Sequence, residues 1–291
     1  MIDAYASEPH YRDHIAPVLE ALPDSLRGSW NRHGTGPVIV AGYKDLLAVG
    51  DRPVILMEHG AGQTYGGGHP SYAGGRNREG VKLFLCPSER VAELNRARYP
   101  QTPTVAIGCP KLDALIGIKP KRGTIGFSWH WNAQVCPESR SALRHYAPFL
   151  GDVAERHETV GTAHPRIMRA AAKVYADAGI EIVSAEGLVA RAEVLVVDNS
   201  SIGWEFIALD RPVIWANAPW YRKDAHHGLR FWEDADIQVD DSSEIEDAIS
   251  VATEDAPEHR LRRRSIADAI YGQRDGHSAE RAAAAIGEVF G

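Results

Sequence analysis

Cysteine is scarce. The chain has three, Cys86, Cys109 and Cys136, odd in number and widely separated, so neither a disulfide framework nor a cysteine-type zinc site is indicated. Long apolar runs are missing as well. No stretch reaches the roughly 20 residues that a membrane-crossing helix needs, and no transmembrane segment is expected. The opening MIDAYASEPHYRDH has neither a basic n-region nor an apolar h-region. No signal peptide is therefore expected, and the cytoplasm is the simplest compartment. Excess positive charge is absent too. A net charge of -7 argues against a broad nucleic-acid-binding surface. Only a local basic cluster remains, at Arg260, Arg262, Arg263 and Arg264.

The standard chemical signatures are also missing. There is no GxGxxG, no GxxxxGK[ST] and no HExxH, so neither the dinucleotide fingerprint, the P-loop nor the zinc-protease helix applies. No GxSxG nucleophile elbow occurs. His226-His227 has no carboxylate or cysteine at ligand spacing. The triplet Asp234-Ala235-Asp236 has the DxD form that can hold a metal on a nucleotide diphosphate, but it lies in a charged, exposed-looking stretch. The expected metal complement is none.

What the chain does have is a repeated alternation. It has 291 residues, 44% hydrophobic and 24% charged, which suits a soluble globular protein with room for two domains. Short β-branched runs of strand length recur at Val38–Ala41, Val54–Met57, Lys82–Leu85, Thr104–Ile107, Thr124–Trp129, His157–Thr162, Val194–Val197 and Val213–Trp215. Helical patterns separate them, for example Tyr11, Ile15, Val18, Leu19 and Leu22 on one face, and Ile167 to Ala178. A single helix is expected over roughly Pro137 to Phe149. This α/β order predicts two Rossmann-like domains facing a central cleft. A Pro-containing basic linker, Ile116 to Arg122, separates them. The expected division is an N-terminal domain over 1–117, a C-terminal domain over 123–275 and a C-terminal helix over 276–291.

In open α/β sheets, ligands collect beyond the C-terminal ends of the strands, and the chain places polar residues there. Val194–Val197 runs into Asp198-Asn199-Ser200-Ser201 and then a helix carrying Glu205. Such a turn can bind phosphate through helix N–H groups and hydroxyls, with Glu205 set to accept from a ribose. The same turn can also simply cap a helix. Val54–Met57 delivers Glu58 and His59. A neutral imidazole there can take a proton from an acceptor hydroxyl, with Glu58 orienting it. His59 can equally hydrogen-bond a loop. His164-Pro165-Arg166 follows the sixth run, where a histidine can donate to pyrophosphate and an arginine can pair with it. Residues 60–75 are glycine-rich, and Gly60, Gly62 and Gln63 are candidate acceptor or lid residues.

Taken in order, these segments resemble the CDP-glycerol glycerophosphotransferase (teichoic acid) family of the GT-B glycosyltransferase superfamily. The resemblance rests on His59-Gly60, Gly108-Cys109-Pro110-Lys111-Leu112-Asp113, Ala163-His164-Pro165, and Asp198-Asn199-Ser200-Ser201 through Arg211-Pro212-Val213-Ile214. The tail Asp275-Gly276-His277-Ser278-Ala279-Glu280-Arg281 is also similar. Ala163 stands where the family has a second proline, and Phe127-Ser128-Trp129-His130 where it has Pro-Thr-(Trp/Phe)-Arg.

The resemblance implies a GT-B-like, metal-independent transferase that uses no cofactor beyond its activated donor, CDP-glycerol or a nucleotide sugar. His59 would be the base. His164, Arg166, Asp198, Asn199, Ser200, Ser201 and Glu205 would serve the donor. The acceptor stays open among sugar, protein and nucleic-acid-base hydroxyls, and a homodimer is compatible. The rival readings are a UDP-N-acetylglucosamine 2-epimerase-like enzyme and a non-catalytic nucleotide- or sugar-binding protein.

Overall fold

The computed structural model describes residues 1–59, 78–132, 137–221 and 236–291. They divide into two compact units. The first holds residues 1–59, 78–116 and 268–291, and the second, among the described residues, holds those from 117 to 267. By contacts, the first stretch of the first unit runs to Ile116. The tail is different. Instead of a C-terminal domain running to 275 with a separate final helix, residues from 268 onward belong to the first unit.

The first unit is built on six parallel strands, β1 (Ile2–Ala4), β2 (Arg27–Trp30), β3 (Val38–Val40), β4 (Val54–Met57), β5 (Val81–Cys86) and β6 (Thr104–Ala106), in the order β2-β1-β3-β4-β5-β6. The strand order reverses direction between β1 and β3, which makes that gap the switch point of the sheet. All of β3 and β4 is buried, as the near-continuous apolar runs of a doubly covered parallel sheet require. One face is covered by the helices Pro9–Ala21 and Ser278–Phe290, whose Ile15, Val18, Ala282, Ala283 and Ile286 share a core with Ile39, Ile55 and Leu83.

The second unit also has six parallel strands, β7 (Thr124–Trp129), β8 (Glu158–Ala163), β9 (Glu181–Ile182), β10 (Val194–Val197), β11 (Val213–Ala216) and β12 (Ile237–Val239). Their order, β12-β11-β10-β7-β8-β9, is that of a dinucleotide-binding sheet, with the switch point between β7 and β10. The helix Ile202–Ala208 after β10 is buried along its whole length. Gly203 permits this, because a Cβ there would fall 2.6 Å from the Trp215 ring.

The single helix expected over 137–149 is instead broken into a turn at Pro137–Ser139, a short helix at Leu143–Tyr146 and a turn at Ala147–Phe149. A regular helix resumes at Leu150–Arg156. Pro148 accounts for the end of the short helix at Tyr146, since its ring has no N–H to donate and crowds the preceding turn.

Several residues singled out in the sequence turn out to be structural. Arg211 is buried, and its guanidinium bonds the carbonyls of Val189, Ala192 and Ile118. Much of the basic cluster at 260–264 is neutralised. Arg263 and Arg264 pair with Asp210, and Arg260 and Arg263 pair with Asp255. Two motifs distant in sequence also meet within the first unit. Asp113 accepts from the Ala279 N–H (2.8 Å), and Arg281 donates to the Ile107 carbonyl (2.9 Å) and to Asp275 (2.8 Å). Gly108 has φ +89, and a Cβ there would lie 2.5 Å from Ser278 Oγ and 2.8 Å from the Gln273 carbonyl. Among the described residues, no helix is long and apolar enough to cross a membrane.

Gly108→Ala combines left-handed strain with a clash against backbone. It is expected to cost about 2 kcal/mol or more. Chemical denaturation monitored by circular dichroism should show a lower midpoint, and an unchanged midpoint would contradict the close packing of the tail.

Candidate active site

The first site lies at the C-terminal end of β4. Successive strand residues point to opposite sides, so Glu58 and His59 diverge. The Glu58 carboxylate accepts from Tyr43 OH (2.9 Å), Arg78 Nη1 (3.1 Å) and Asn95 Nδ2 (3.3 Å). Both Glu58 and Arg78 side chains are 2% exposed, so this is a fully buried ion pair. The Arg78 guanidinium also lies 4.4 Å over the Tyr43 ring and donates to Asn95. Burial, with Glu58 alongside, holds the Tyr43 phenol well above its usual range. The expectation that Glu58 orients His59 is therefore corrected. Its oxygens are committed to Tyr43, Arg78 and Asn95, and it anchors the strand end from which His59 projects. Arg78 carries no motif and was not singled out from the sequence.

The His59 ring is fixed from other directions. Its Nδ1 lies 2.5 Å from the Ala41 carbonyl at the end of β3. A carbonyl can only accept, so Nδ1 carries the proton and the neutral ring keeps its lone pair on Nε2. The edge of Tyr11 packs at 4.7 Å between centroids, and His10 and His14 follow at 6.4 and 6.5 Å. Burial pulls His59 down to about 4, against the opposing hydrogen bond to Ala41; His10 and Arg78 add to the lowering. His14 is also held well below its usual value, mainly by burial and then by Lys111 and the neighbouring histidines. Both rings are thus neutral bases at pH 7. Gly60, Gly62 and Gln63 lie outside the described residues, as do Cys136, His226, His227 and Asp234. Asp236 pairs with His259 at 2.9 Å.

The second site lies across the switch point of the other sheet. The registers Val197↔Ser128 and Trp129↔Ala163, carried one or two residues further, set Asn199, His130 and His164 side by side at the ends of β10, β7 and β8. Asp198 ties them together. It is fully buried and accepts from the N–H groups of His130 (2.8 Å), Ala142 (3.0 Å) and Ser200 (3.2 Å). This corrects its expected role as a donor-binding residue. A carboxylate already filled by three N–H groups, and negative besides, shapes the turn and does not receive phosphate.

The Ser200 N–H is thereby used. The Gly203 and Trp204 N–H groups close turns on the Ser200 and Ser201 carbonyls, both at 3.1 Å. The hydroxyls of Ser200, which is buried, and Ser201, which is exposed, remain as the turn's side-chain donors. Glu205 is 4% exposed inside the buried helix, so the ribose contact expected of it would have to be made in the interior.

His164 is half-buried, and its Nδ1 accepts from the Arg166 N–H (3.2 Å). Its neutral ring therefore donates from Nε2, the arrangement a phosphate oxygen needs. Arg166 is exposed and lies 4.2 Å over the Trp131 ring. His130 was not singled out as a site residue. Its Nδ1 donates to the carbonyls of Trp131 and Ser139, both at 2.8 Å, and its ring is 5.7 Å from His164. Its place directly after a buried strand was the available signal. Among the described residues, no cluster of three or more His, Cys, Asp and Glu could hold a metal ion.

Two outcomes follow from these environments. Glu58→Gln leaves the Arg78 charge buried without a counter-ion and is expected to cost about 3–5 kcal/mol, measured as the urea midpoint. On unfolding, His59 and His14 regain values near 6.5 and take up protons that the fold refuses. Stability is therefore expected to fall as pH drops from about 6.5 towards 4. His14→Leu should flatten that slope in thermal melts, and an unaltered slope would remove His14 from the account.

Comparison with known proteins bears on the fold and on one stretch of the sequence. Residues 153–288 match the sequence profile of the family described as CDP-Glycerol:Poly(glycerophosphate) glycerophosphotransferase. No curated protein matches the chain by sequence. Among solved structures, a variant of the wall teichoic acid polymerase TagF soaked with CDPG superimposes with a TM-score of 0.70 at 11% identity, over 99% of this chain and 88% of that one. MnaA of S. aureus, solved with UDP, gives 0.61 at 14% identity, over 96% and 94%. UDP-GlcNAc 2-epimerase of Neisseria meningitidis, bound to UDP-GlcNAc, gives 0.61 at 12% identity, over 99% of both chains. At such identities the structural likeness establishes the shared fold. The family profile thus matches residues 153–288, just under half of the chain, and the two-sheet α/β fold is the GT-B fold shared with TagF, MnaA and the epimerase.

Proposed function

We propose that the protein moves a glycerophosphoryl or glycosyl group from a nucleotide-diphosphate-activated donor to an acceptor hydroxyl. The observation that carries this reading is the state of the His59 ring. It is held by the Ala41 carbonyl in the tautomer that leaves Nε2 basic, and burial keeps it unprotonated at neutral pH. A general base needs both properties. The acceptor O–H proton passes to Nε2 as its oxygen attacks. With CDP-glycerol the attack falls on the β-phosphorus and breaks the bond to the bridging oxygen. With a nucleotide sugar it falls on the anomeric carbon and releases the diphosphate.

Donor binding is assigned to the second unit. The His164 Nε2–H and the Ser200 and Ser201 hydroxyls donate to the phosphates and offset the charge that grows on the leaving group. Arg166, exposed beside Trp131, adds a positive charge at the rim. The donor is a substrate, and no cofactor or metal enters the scheme. A rate unchanged by EDTA is expected, and loss of the rate would reject metal independence.

A second reading, a 2-epimerase, is favoured by the fold shared with the Neisseria enzyme. It needs carboxylates at the sugar ring, and Glu58 is committed to its buried pair. Incubation with UDP-GlcNAc alone separates the two: epimerised product would favour the second reading.

The proposal is tested by a thermal-shift panel of CDP-glycerol, CDP, UDP, GDP and nucleotide sugars. A donor at ~100 times its Kd adds about 2.7 kcal/mol to the folded state. That shift is expected with one donor class and should be lost in the Ser200→Ala/Ser201→Ala double variant. His59→Ala should lower kcat by about 10²–10⁴-fold while leaving nucleotide binding intact. The acidic limb of kcat/KM should fall near pH 4, not near 6.5. No stabilisation by any nucleotide would sink the transferase reading.

A further inference from the structure

At the switch point of the second sheet one side chain is unaccounted for. Asn199 is 4% exposed, and neither its amide nitrogen nor its amide oxygen has a hydrogen-bond partner among the described residues. A carboxamide offers two donors and an acceptor with two lone pairs. Leaving such a group buried and unpaired carries a desolvation cost that native structures seldom accept without a reason.

The reason is not the fold of the turn. Asp198 already organises it through the N–H groups of His130, Ala142 and Ser200. His130 is in turn held by two carbonyls. Asp198 and His130 are held without Asn199, so the turn does not need its carboxamide. Its position is that of a ligand group: at the end of β10, next to the switch point, in line with His130 and His164 and one residue before Ser200.

We infer that Asn199 is the specificity-determining residue of the donor site, reading a part of the donor other than its phosphates. This rests on the transferase reading above. The chemistry follows from both amide atoms being unpaired. Phosphate oxygens only accept, so they would satisfy Nδ2 and leave Oδ1 stranded. A ligand that pairs both atoms must present a donor and an acceptor side by side. Two parts of an activated donor do so: the hydroxyls of the transferred glycerol or sugar, and the hydrogen-bonding edge of the pyrimidine base. A residue that hydrogen-bonds such a group rejects ligands lacking it far more strongly than an apolar contact does.

The test uses Asn199→Leu, which keeps the branched four-atom skeleton and removes both polar atoms, with Asn199→Ala alongside in case leucine overpacks. Melting temperature is measured without ligand, and calorimetry gives affinities for CDP, UDP, CDP-glycerol, UDP-GlcNAc and inorganic pyrophosphate. The expected result is a ligand-free melting temperature equal to or above that of the wild type in at least one variant, with a tenfold or greater loss of affinity for the preferred donor and none for pyrophosphate. A loss confined to the ligands carrying glycerol or sugar assigns Asn199 to the transferred group. A loss that extends to free CDP or UDP and erases their discrimination assigns it to the base.

A lower ligand-free melting temperature in both variants would make Asn199 structural and overturn the inference. Unchanged affinities, or an equal loss for pyrophosphate, would overturn it as well. If the wild type binds none of the nucleotides, the transferase reading itself fails, an outcome distinct from wild-type binding that the variants do not alter.

Discussion

The second unit depends on the buried carboxylate of Asp198. Three backbone N–H groups from three separate segments converge on it: His130 after β7, Ala142 in the broken helical stretch, and Ser200 in its own turn. Each of these N–H groups lies at the end of an element and has no regular ladder to join, so it needs a partner from elsewhere. One carboxylate supplies all three and spans the switch point while doing so. The placement of His130 and of the serine turn follows from this convergence. The interruption of the helix before Leu150 is compatible with it, since Ala142 spends its N–H on Asp198 and not on a helical carbonyl.

The first unit uses the same economy with opposite charges. Glu58 and Arg78 form a buried pair whose remaining valences are taken up by Tyr43 and Asn95. Such pairs rarely add net stability, but breaking one is costly. The position of the strand end that presents His59 is therefore tightly specified. The ring itself is set by the Ala41 carbonyl and the Tyr11 edge, contacts that fix a tautomer as well as a direction.

Much of this was legible in the sequence. The apolar runs marked most of the sheet strands, because strands covered on both faces need near-continuous apolar side chains. The strand-end positions of His59, His164 and the Asp198–Ser201 turn followed from those runs. Partners remote in sequence were not legible. Glu58 and Arg78 are joined by a contact across twenty residues, and nothing in the residues next to either announces it. Asp198 looked like a ligand residue because a carboxylate at a strand end is usually exposed, and only the backbone of other segments shows that it is filled. His130 was passed over because it continues a buried aromatic strand with no turn signal after it. The return of the last helix to the first unit was hidden for a similar reason: its alanine-rich face fits any apolar surface, and its partners Ile15 and Ile55 lie more than two hundred residues away.

That return also sets an order of events during synthesis. By its contacts the second unit is complete at Ala267, before the final helix is made. The first unit, although its strands emerge earliest, lacks Ala282, Ala283 and Ile286 from its core, and the Ala279 and Arg281 contacts to Asp113 and Ile107, until the last helix is free. Its nascent sheet must wait with one apolar face covered by the helix Pro9–Ala21 alone while the later-made unit folds. Domains of multidomain chains generally fold in the order of their synthesis, and here the connectivity reverses that order. The half-built first sheet is thus the species most open to misassociation.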